Sequence, residues 1–283
     1  MRMPPGLISL LDDGLITDVI RPLQSGKEAQ IYLVLSDGEE RVAKVYKQAQ
    51  QRSFKHRAVY SEGRTVRNSR DRRAMAKGSR HGKKRDEAAW RSAEVDMIYR
   101  LQAASVRVPR PHYFVDGVLV MELVKDERGE PAPRLGEVRM APADAEAVFE
   151  QILREVVKML CAGVVHGDLS DFNVLMSTDG PVLIDFPQSL DAAGNQAARK
   201  MLLRDVANLN AFLLGLVETN RPLEHAQEMW ALYARGELMP DTRLTGHYRP
   251  DHVAVDVAGL LEELQEAEED EMRRRAAKGS ARP

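Results

Sequence analysis

The segment His166-Gly-Asp168-Leu-Ser-Asp-Phe-Asn173 places an aspartate and an asparagine five residues apart on a polar stretch between apolar runs. An aspartate so placed can accept or orient a hydroxyl proton, and a carboxamide oxygen five residues on can take a metal ion that bridges phosphates. Asp185 follows twelve residues after Asn173, at the end of the apolar run 182–186. Mg²⁺ demands hard oxygen ligands and commonly takes only one or two carboxylates besides phosphate and water. Asp168 as the catalytic carboxylate, with Asn173 and Asp185 as metal ligands, meets that demand. Each residue alone has a blander reading, as a turn aspartate or a capping asparagine; the spacing and the flanking apolar runs argue for the set.

The upstream half supplies the complementary charges. Lys44 lies between apolar neighbours in Val42-Ala-Lys44-Val-Tyr46, a pattern suited to a strand lysine that holds nucleotide phosphates. Glu94, on the next helical pattern, is its natural ion-pair partner. The turn Ser25-Gly26-Lys27-Glu-Ala29 precedes the first strand of this unit and offers the backbone amides of Gly26 and Lys27 to an anion, although it has neither the G-x-G-x-x-G nor the Walker pattern.

Positioning these groups requires a sheet followed by helices. Residues 29–36 and 41–47 are β-prone runs split by Asp37-Gly38, and 112–115 and 118–124 flank Asp116-Gly117, both strong hairpin signals. Between the hairpins, 87–103 has apolar residues at helical spacing. The second half reads mainly helical. A broad apolar stripe over 144–161 ends at Gly163, a strand–polar loop–strand pattern follows over 164–176, and helices are expected over 197–217, 223–234 and 253–277. The expected architecture is α+β and two-lobed, with an antiparallel-sheet lobe over 1–123 and a helical lobe over 124–283. Within the first lobe, 48–89 carries thirteen Lys or Arg against four Asp or Glu and almost no aliphatic residues, so it reads as a mobile basic insertion.

Taken together, the sequence resembles the RIO-type atypical protein kinases, on the branch without an N-terminal winged helix. The runs S-G-K-E-A-x-x-Y, V-A-K-V-Y-K, V-L-V-M-E-L, H-G-D-L-S-x-x-N and I-D-F-P-Q-S occur in that family's order. The resemblance covers roughly residues 10–214. It implies a kinase fold with reduced activation and peptide-docking segments, ATP as cofactor and Mg²⁺ (or Mn²⁺) as metal. Lys44 would then be the ATP-phosphate lysine, Asp168 the catalytic aspartate, Asn173 and Asp185 the metal ligands, and Glu122 and Val124 the hinge residues whose backbone holds adenine. Asp185 would also be the position that carries a transient aspartyl phosphate. Pro187 stands where ordinary kinases have the glycine of D-F-G; a proline fixes φ and removes an amide, so a swinging metal loop is not expected. The short segment 188–196 offers no platform for an extended peptide, which favours an ATPase-driven switch beside transfer to a protein hydroxyl.

Composition narrows the field. With 283 residues, 43% apolar and a net charge of −2, the chain can bury a core and is neither a globally basic nucleic-acid binder nor a disordered polyelectrolyte. Its single cysteine, Cys161, excludes an internal disulfide and a cysteine-based zinc site. No run is apolar enough to span a bilayer and the N-terminus makes a poor signal peptide, so a cytoplasmic protein without a membrane partner is expected. Rival readings are a small-molecule phosphotransferase of the aminoglycoside or choline type, which shares H-G-D-x-x-x-x-N, an RNA- or ribosome-associated module acting through 48–89, and a scaffold without activity. The protein substrate is unknown; Ser61, Ser69 and Ser79 are candidate autophosphorylation sites. Cys161, His166, Trp90 and Trp230 read as packing residues.

Overall fold

The computed structural model describes residues 3–26, 29–47, 94–219 and 223–249. The basic segment 48–89, Lys27, Trp90 and the expected helix 253–277 lie outside them. Residues 1–247 form one unit; of the second, which begins at Tyr248, only residues 248 and 249 are described.

The chain opens with helix α1 (Pro5–Asp12), started by a proline at its first position, where the missing N–H costs nothing. Strands β1 (Asp18–Ser25), β2 (Ala29–Ser36) and β3 (Glu39–Tyr46) follow, then helix α2 (residues 94–103), β4 (Pro111–Val115) and β5 (Val118–Glu122). The five strands form one antiparallel sheet in the order β1-β2-β3-β5-β4. Both expected hairpins are tight. Asp37 and Gly38 have φ of 51° and 76°, and Asp116 and Gly117 have φ of 48° and 76°, the double left-handed pair that matches strand twist. The sequence pattern missed α1 and most of β1, whose exposed, proline-containing run Asp-Val-Ile-Arg-Pro-Leu-Gln-Ser lacks an alternating apolar face.

Side chains alternate across a strand, so the sheet has two distinct faces. One carries Tyr32, Val34, Ala43, Val118 and Val120, packed under Leu7 and Leu10 of α1 and Ile16. The other carries Ile31, Leu33, Val42, Lys44, Tyr46 and Leu119, and looks toward the helical half.

The helical half begins with a 3-10 turn (Leu135–Glu137) and α3 (Pro142–Cys161), whose buried stripe includes Phe149, Ile152, Leu153, Val156 and Leu160. After Gly163 come β6 (Val164–Val165), a 3-10 turn (Asp171–Asn173), β7 (Val174–Ser177), β8 (Gly180–Leu183), β9 (Leu190–Asp191), α4 (Ala198–Leu214) and α5 (His225–Ala234). One apolar core joins α3, α4 and α5 to Tyr46, Leu119 and α2, so the sheet and the helical half share an interior.

Helix α4 fixes the loop 166–173 from below. The Asp205 carboxylate accepts the Gly167 N–H at 2.7 Å and the Leu169 N–H at 3.2 Å. Arg204 donates to the Gly167 carbonyl, and Asn208 Nδ2 donates to the Leu169 carbonyl at 3.0 Å. Burial outweighs these bonds and pushes the Asp205 carboxyl up to about 7.

Two outcomes follow. Gly163 has φ of +73°, and an added Cβ would lie 2.6 Å from Arg100 Nη2. Gly163→Ala should therefore destabilise by about 1–2 kcal/mol, read as a lower midpoint in thermal unfolding; an unchanged midpoint would refute the strain. Because Asp205 binds its proton more tightly folded than unfolded, its contribution is complete below the ordinary carboxylate range and is lost as pH rises through about 7. The thermal midpoint of the native protein should fall between pH 5 and 8 relative to Asp205→Asn, which has no such titration; parallel curves would contradict it.

Candidate active site

Strand β3 carries Lys44 on the inward face, and the first described turn of α2 carries Glu94. The Lys44 amine donates to Glu94 Oε1 at 2.7 Å and to Asp185 Oδ1 at 2.8 Å. Lys44 and Glu94 are buried, whereas 47% of the Asp185 side chain is open. Burial alone would lower the Lys44 pKa, but the charges of Asp185 and Glu94 hold it well above its ordinary value. The same lysine holds the Asp185 carboxyl below the usual range, against the effect of burial. Two carboxylates distant in sequence thus converge on one amine.

Asn173 and Asp185 meet because β7 and β8 form a hairpin in which Val174 faces Leu183. The next pair outward is Asn173 with Ile184, whose N–H donates to the Asn173 carbonyl at 3.0 Å. Asp185 then turns away with φ of +70°, an uncommon conformation for a residue with a side chain. Asn173 Nδ2 donates to the Asp168 carbonyl at 2.8 Å, tying the two ends of the loop. Burial first, and then the Asp185 charge, raise the Asp168 pKa, with Arg204 opposing. Asp168, Asn173, Asp185, Lys44 and Glu94 therefore belong to one constellation.

The remaining expected residues divide. Ser25 ends β1 opposite Gln30. The Gly26 N–H, offered to an anion by the sequence reading, instead donates to the Ala29 carbonyl at 2.9 Å, and Lys47 Nζ donates to the Gly26 carbonyl at 2.5 Å; the turn closes on itself. The Glu122 side chain accepts from both terminal nitrogens of Arg107, at 3.2 and 3.1 Å, and from the Arg110 N–H at 3.0 Å. Burial would raise the Glu122 pKa, but these bonds lower it. The Glu122 N–H is spent as well, donating to the Arg110 carbonyl at 2.8 Å. Val124 is buried and its carbonyl accepts the Ala132 N–H at 2.9 Å. Between the sheet and this segment, Leu23, Ile31, Leu33, Met121 and Leu123 form an apolar patch.

Sequence reasoning assigned no role to Tyr46, Arg204, Asp205 or Asn208. Tyr46 lies two residues after Lys44 on the same face, with the Lys44 amine 5.4 Å from its ring centroid. Burial, and then the adjacent Glu94 carboxylate, raise the pKa of its hydroxyl. Period-two spacing could have flagged Tyr46; Arg204, Asp205 and Asn208 read only as polar positions on the helix expected over 197–217. His166 packs, as expected. It lies 5.0 Å from the Phe186 ring, and its Nε2 donates to the Ile184 carbonyl at 3.1 Å; burial lowers its pKa to about 4, so the ring is neutral. The Trp230 ring packs tilted against Tyr233, and the Cys161 thiol donates to the Leu238 carbonyl.

Among the described residues no cluster of three or more His, Cys, Asp or Glu side chains could hold a metal. One ionised, half-open carboxylate beside a carboxamide nevertheless fits Mg²⁺ whose other ligands are phosphate oxygens and water. No described helix is long and apolar enough to cross a membrane.

Comparison with known proteins bears on the family and the fold. The family profile described as "RIO domain" matches residues 30–222. The serine/threonine-protein kinase RIO1 of Homo sapiens is 32% identical over 211 residues, covering 74% of this chain and 35% of that one. The RIO-type serine/threonine-protein kinase Rio1 of Haloferax volcanii is 35% identical over 210 residues, 73% of this chain and 67% of that protein. For the Methanocaldococcus jannaschii Rio1 the figures are 33% over 207 residues, 73% and 66%. The chain thus spans about a third of the human relative and about two thirds of the archaeal ones. Among solved structures, the Rio2 kinase–ADP/Mg²⁺–phosphoaspartate complex from Chaetomium thermophilum superposes with a TM-score of 0.57 at 18% identity, covering 96% of this chain and 75% of that one, which speaks for the fold. With an antiparallel roof, a helical floor and the family profile matched from β2 to beyond α4, this chain belongs to the RIO domain family of kinase-like proteins.

Proposed function

We propose that this protein is an ATP- and Mg²⁺-dependent phosphotransferase of the RIO serine/threonine kinase type. It would pass the γ-phosphoryl group to a protein hydroxyl, its own included, or to water by way of Asp185. The observation that carries this reading is the Lys44 amine held between Glu94 and Asp185 across the cleft. Lys44, kept charged by both carboxylates, binds the phosphate chain. Adenine lies against the apolar patch around Ile31 and Met121 and meets the main chain of Glu122 and Val124. Asn173 and Asp185 hold the metal, which supplies charge neutralisation along the phosphates; Mn²⁺ would suit the same donors. Asp168 orients the acceptor hydroxyl and takes its proton as the phosphorus–oxygen bond forms and ADP leaves. On the hydrolytic route the Asp185 carboxylate attacks the γ-phosphorus, ADP departs, and water then cleaves the acyl phosphate to free phosphate. The family relationship favours this reading over a small-molecule phosphotransferase.

Incubation with labelled ATP and Mg²⁺ tests the assignment by partitioning label among free phosphate, acyl phosphate and hydroxyl esters. Asp168→Ala should lower transfer by about 10²–10⁴-fold while ATP affinity stays within a few-fold. Hydroxylamine-labile label should be present in the native protein and absent from Asp185→Ala. Full turnover in Asp168→Ala, or labile label in Asp185→Ala, would overturn the corresponding role.

The excess of basic residues in 48–89 supports a second reading for that segment, as an arm for RNA or a ribosomal particle. RNA retention should drop by about 10³-fold or more between 50 and 200 mM salt if six or more phosphates are neutralised. Neutralising Arg64, Arg67, Arg70, Arg72 and Arg73 to Gln should flatten that slope; retention indifferent to both would remove the reading.

A further inference from the structure

Arg134 stands on the floor of the cleft and reaches its roof. Its main chain is pinned: the Arg134 N–H donates to the Glu137 carboxylate at 3.0 Å, the Met176 N–H donates to the Pro133 carbonyl at 2.8 Å, and Arg134 bridges Leu175. Leu175 lies two residues past Asn173 on β7, so Arg134 rises beside the candidate metal site. At the other end, its guanidinium Nη2 donates to Gln24 Oε1 at 2.8 Å.

Strand register locates that end. Gln24 pairs with Ile31, and Ile31 pairs with Lys44. Residues paired across adjacent antiparallel strands project from the same face. Gln24 therefore hangs from the cleft face in the same row as Lys44, two strand spacings or about 10 Å away. It also directly precedes Ser25 and Gly26. Among the described residues Arg134 is half-buried and forms no ion pair. A neutral amide fixes the guanidinium without cancelling its charge; a carboxylate in its place would do both. The remaining donors of the guanidinium fork suit phosphate oxygens better than a lysine would. Its charge is felt at Asp185, where it adds to the pull of Lys44 on the carboxyl.

We propose that Arg134 is a nucleotide-binding residue that grips the anionic chain of a nucleoside di- or triphosphate from the side opposite Lys44, with Gln24 as its positioning residue. This deepens the nucleotide reading above and rests on it. A guanidinium fixed to the floor and tied to the roof also favours the phosphorylated nucleotide over the bare nucleoside, because only the former offers it an anion.

The test is calorimetric binding of Mg·ATP, Mg·ADP and adenosine to the full chain and to Arg134→Leu, Arg134→Lys and Gln24→Ala. A charge-assisted bond contributes about 1.5–3 kcal/mol, so Arg134→Leu should bind both phosphorylated ligands roughly tenfold or more weakly, with adenosine unchanged. Arg134→Lys should recover part of the loss and serves as the folded control. Gln24→Ala should weaken both phosphorylated ligands less than Arg134→Leu does. Equal ATP affinity in Arg134→Leu, or an equal loss for adenosine, would show a strut between roof and floor and overturn the proposal. A native protein that binds neither nucleotide would instead remove the nucleotide reading itself.

Discussion

The structure depends on how a single buried amine is satisfied. Lys44 sits inside the molecule, where an unpaired ammonium would cost several kcal/mol. Glu94 and Asp185 both meet it, and they come from a helix beyond the basic segment and from the far end of the β7–β8 hairpin. One interaction therefore locates α2 against the sheet and the sheet against the floor. Removing a single partner of such a group typically costs about 3–5 kcal/mol, whereas replacing the whole set by apolar residues is often neutral or stabilising. Stability alone does not explain two carboxylates around one lysine. Their surplus negative charge makes sense where a cation is to be received.

The floor is built to keep its carboxylates still. Asp205 and Asn208 take the main chain of 167–169 from beneath, Asn173 ties back to the Asp168 carbonyl, and the neutral His166 ring fills the space under Phe186 while holding the Ile184 carbonyl. Each of these hydrogen bonds is to backbone, so the loop's path is set independently of what Asp168 and Asp185 bind. Phosphoryl transfer requires mainly positioned charges, and this loop is held by bonds that a ligand need not disturb.

Much of this was legible in the sequence because period and spacing report it directly. The Asp-Gly hairpins, the inward face of β3 with Lys44, the α3 stripe ending at Gly163, and the Asp168–Asn173–Asp185 set all follow from local pattern. What escaped depends on tertiary contact. Asp205 looks like any polar residue on a half-exposed helix until the loop lies on it. Tyr46 reads as a strand aromatic until Glu94 arrives beside it. The Gly26 amide looked available because sequence cannot show that the Ala29 carbonyl turns back to meet it. Strand β1 was missed because it is a mostly exposed run with a proline, in which only Val19, Leu23 and their neighbours touch apolar clusters.

The two surfaces of the cleft differ in sign, and the difference bears on what each could receive. The roof presents Lys44, and Arg134 reaches up from the floor to the roof's edge; deeper on the floor stand Asp168 and Asp185, the charge of Asp185 being felt at Asp168. A free polyphosphate entering here would meet the floor carboxylates at close range and be repelled. A free divalent cation would find one carboxylate and one carboxamide, too few protein ligands among the described residues for a stable site. On the function proposed above, a metal–polyphosphate complex would satisfy both surfaces at once, its cation toward Asp185 and Asn173 and its anionic chain toward Lys44. Selectivity for the complex over either part would then arise from charge separation across the cleft, which the alternation of the β3 side chains and the register of the β7–β8 hairpin enforce.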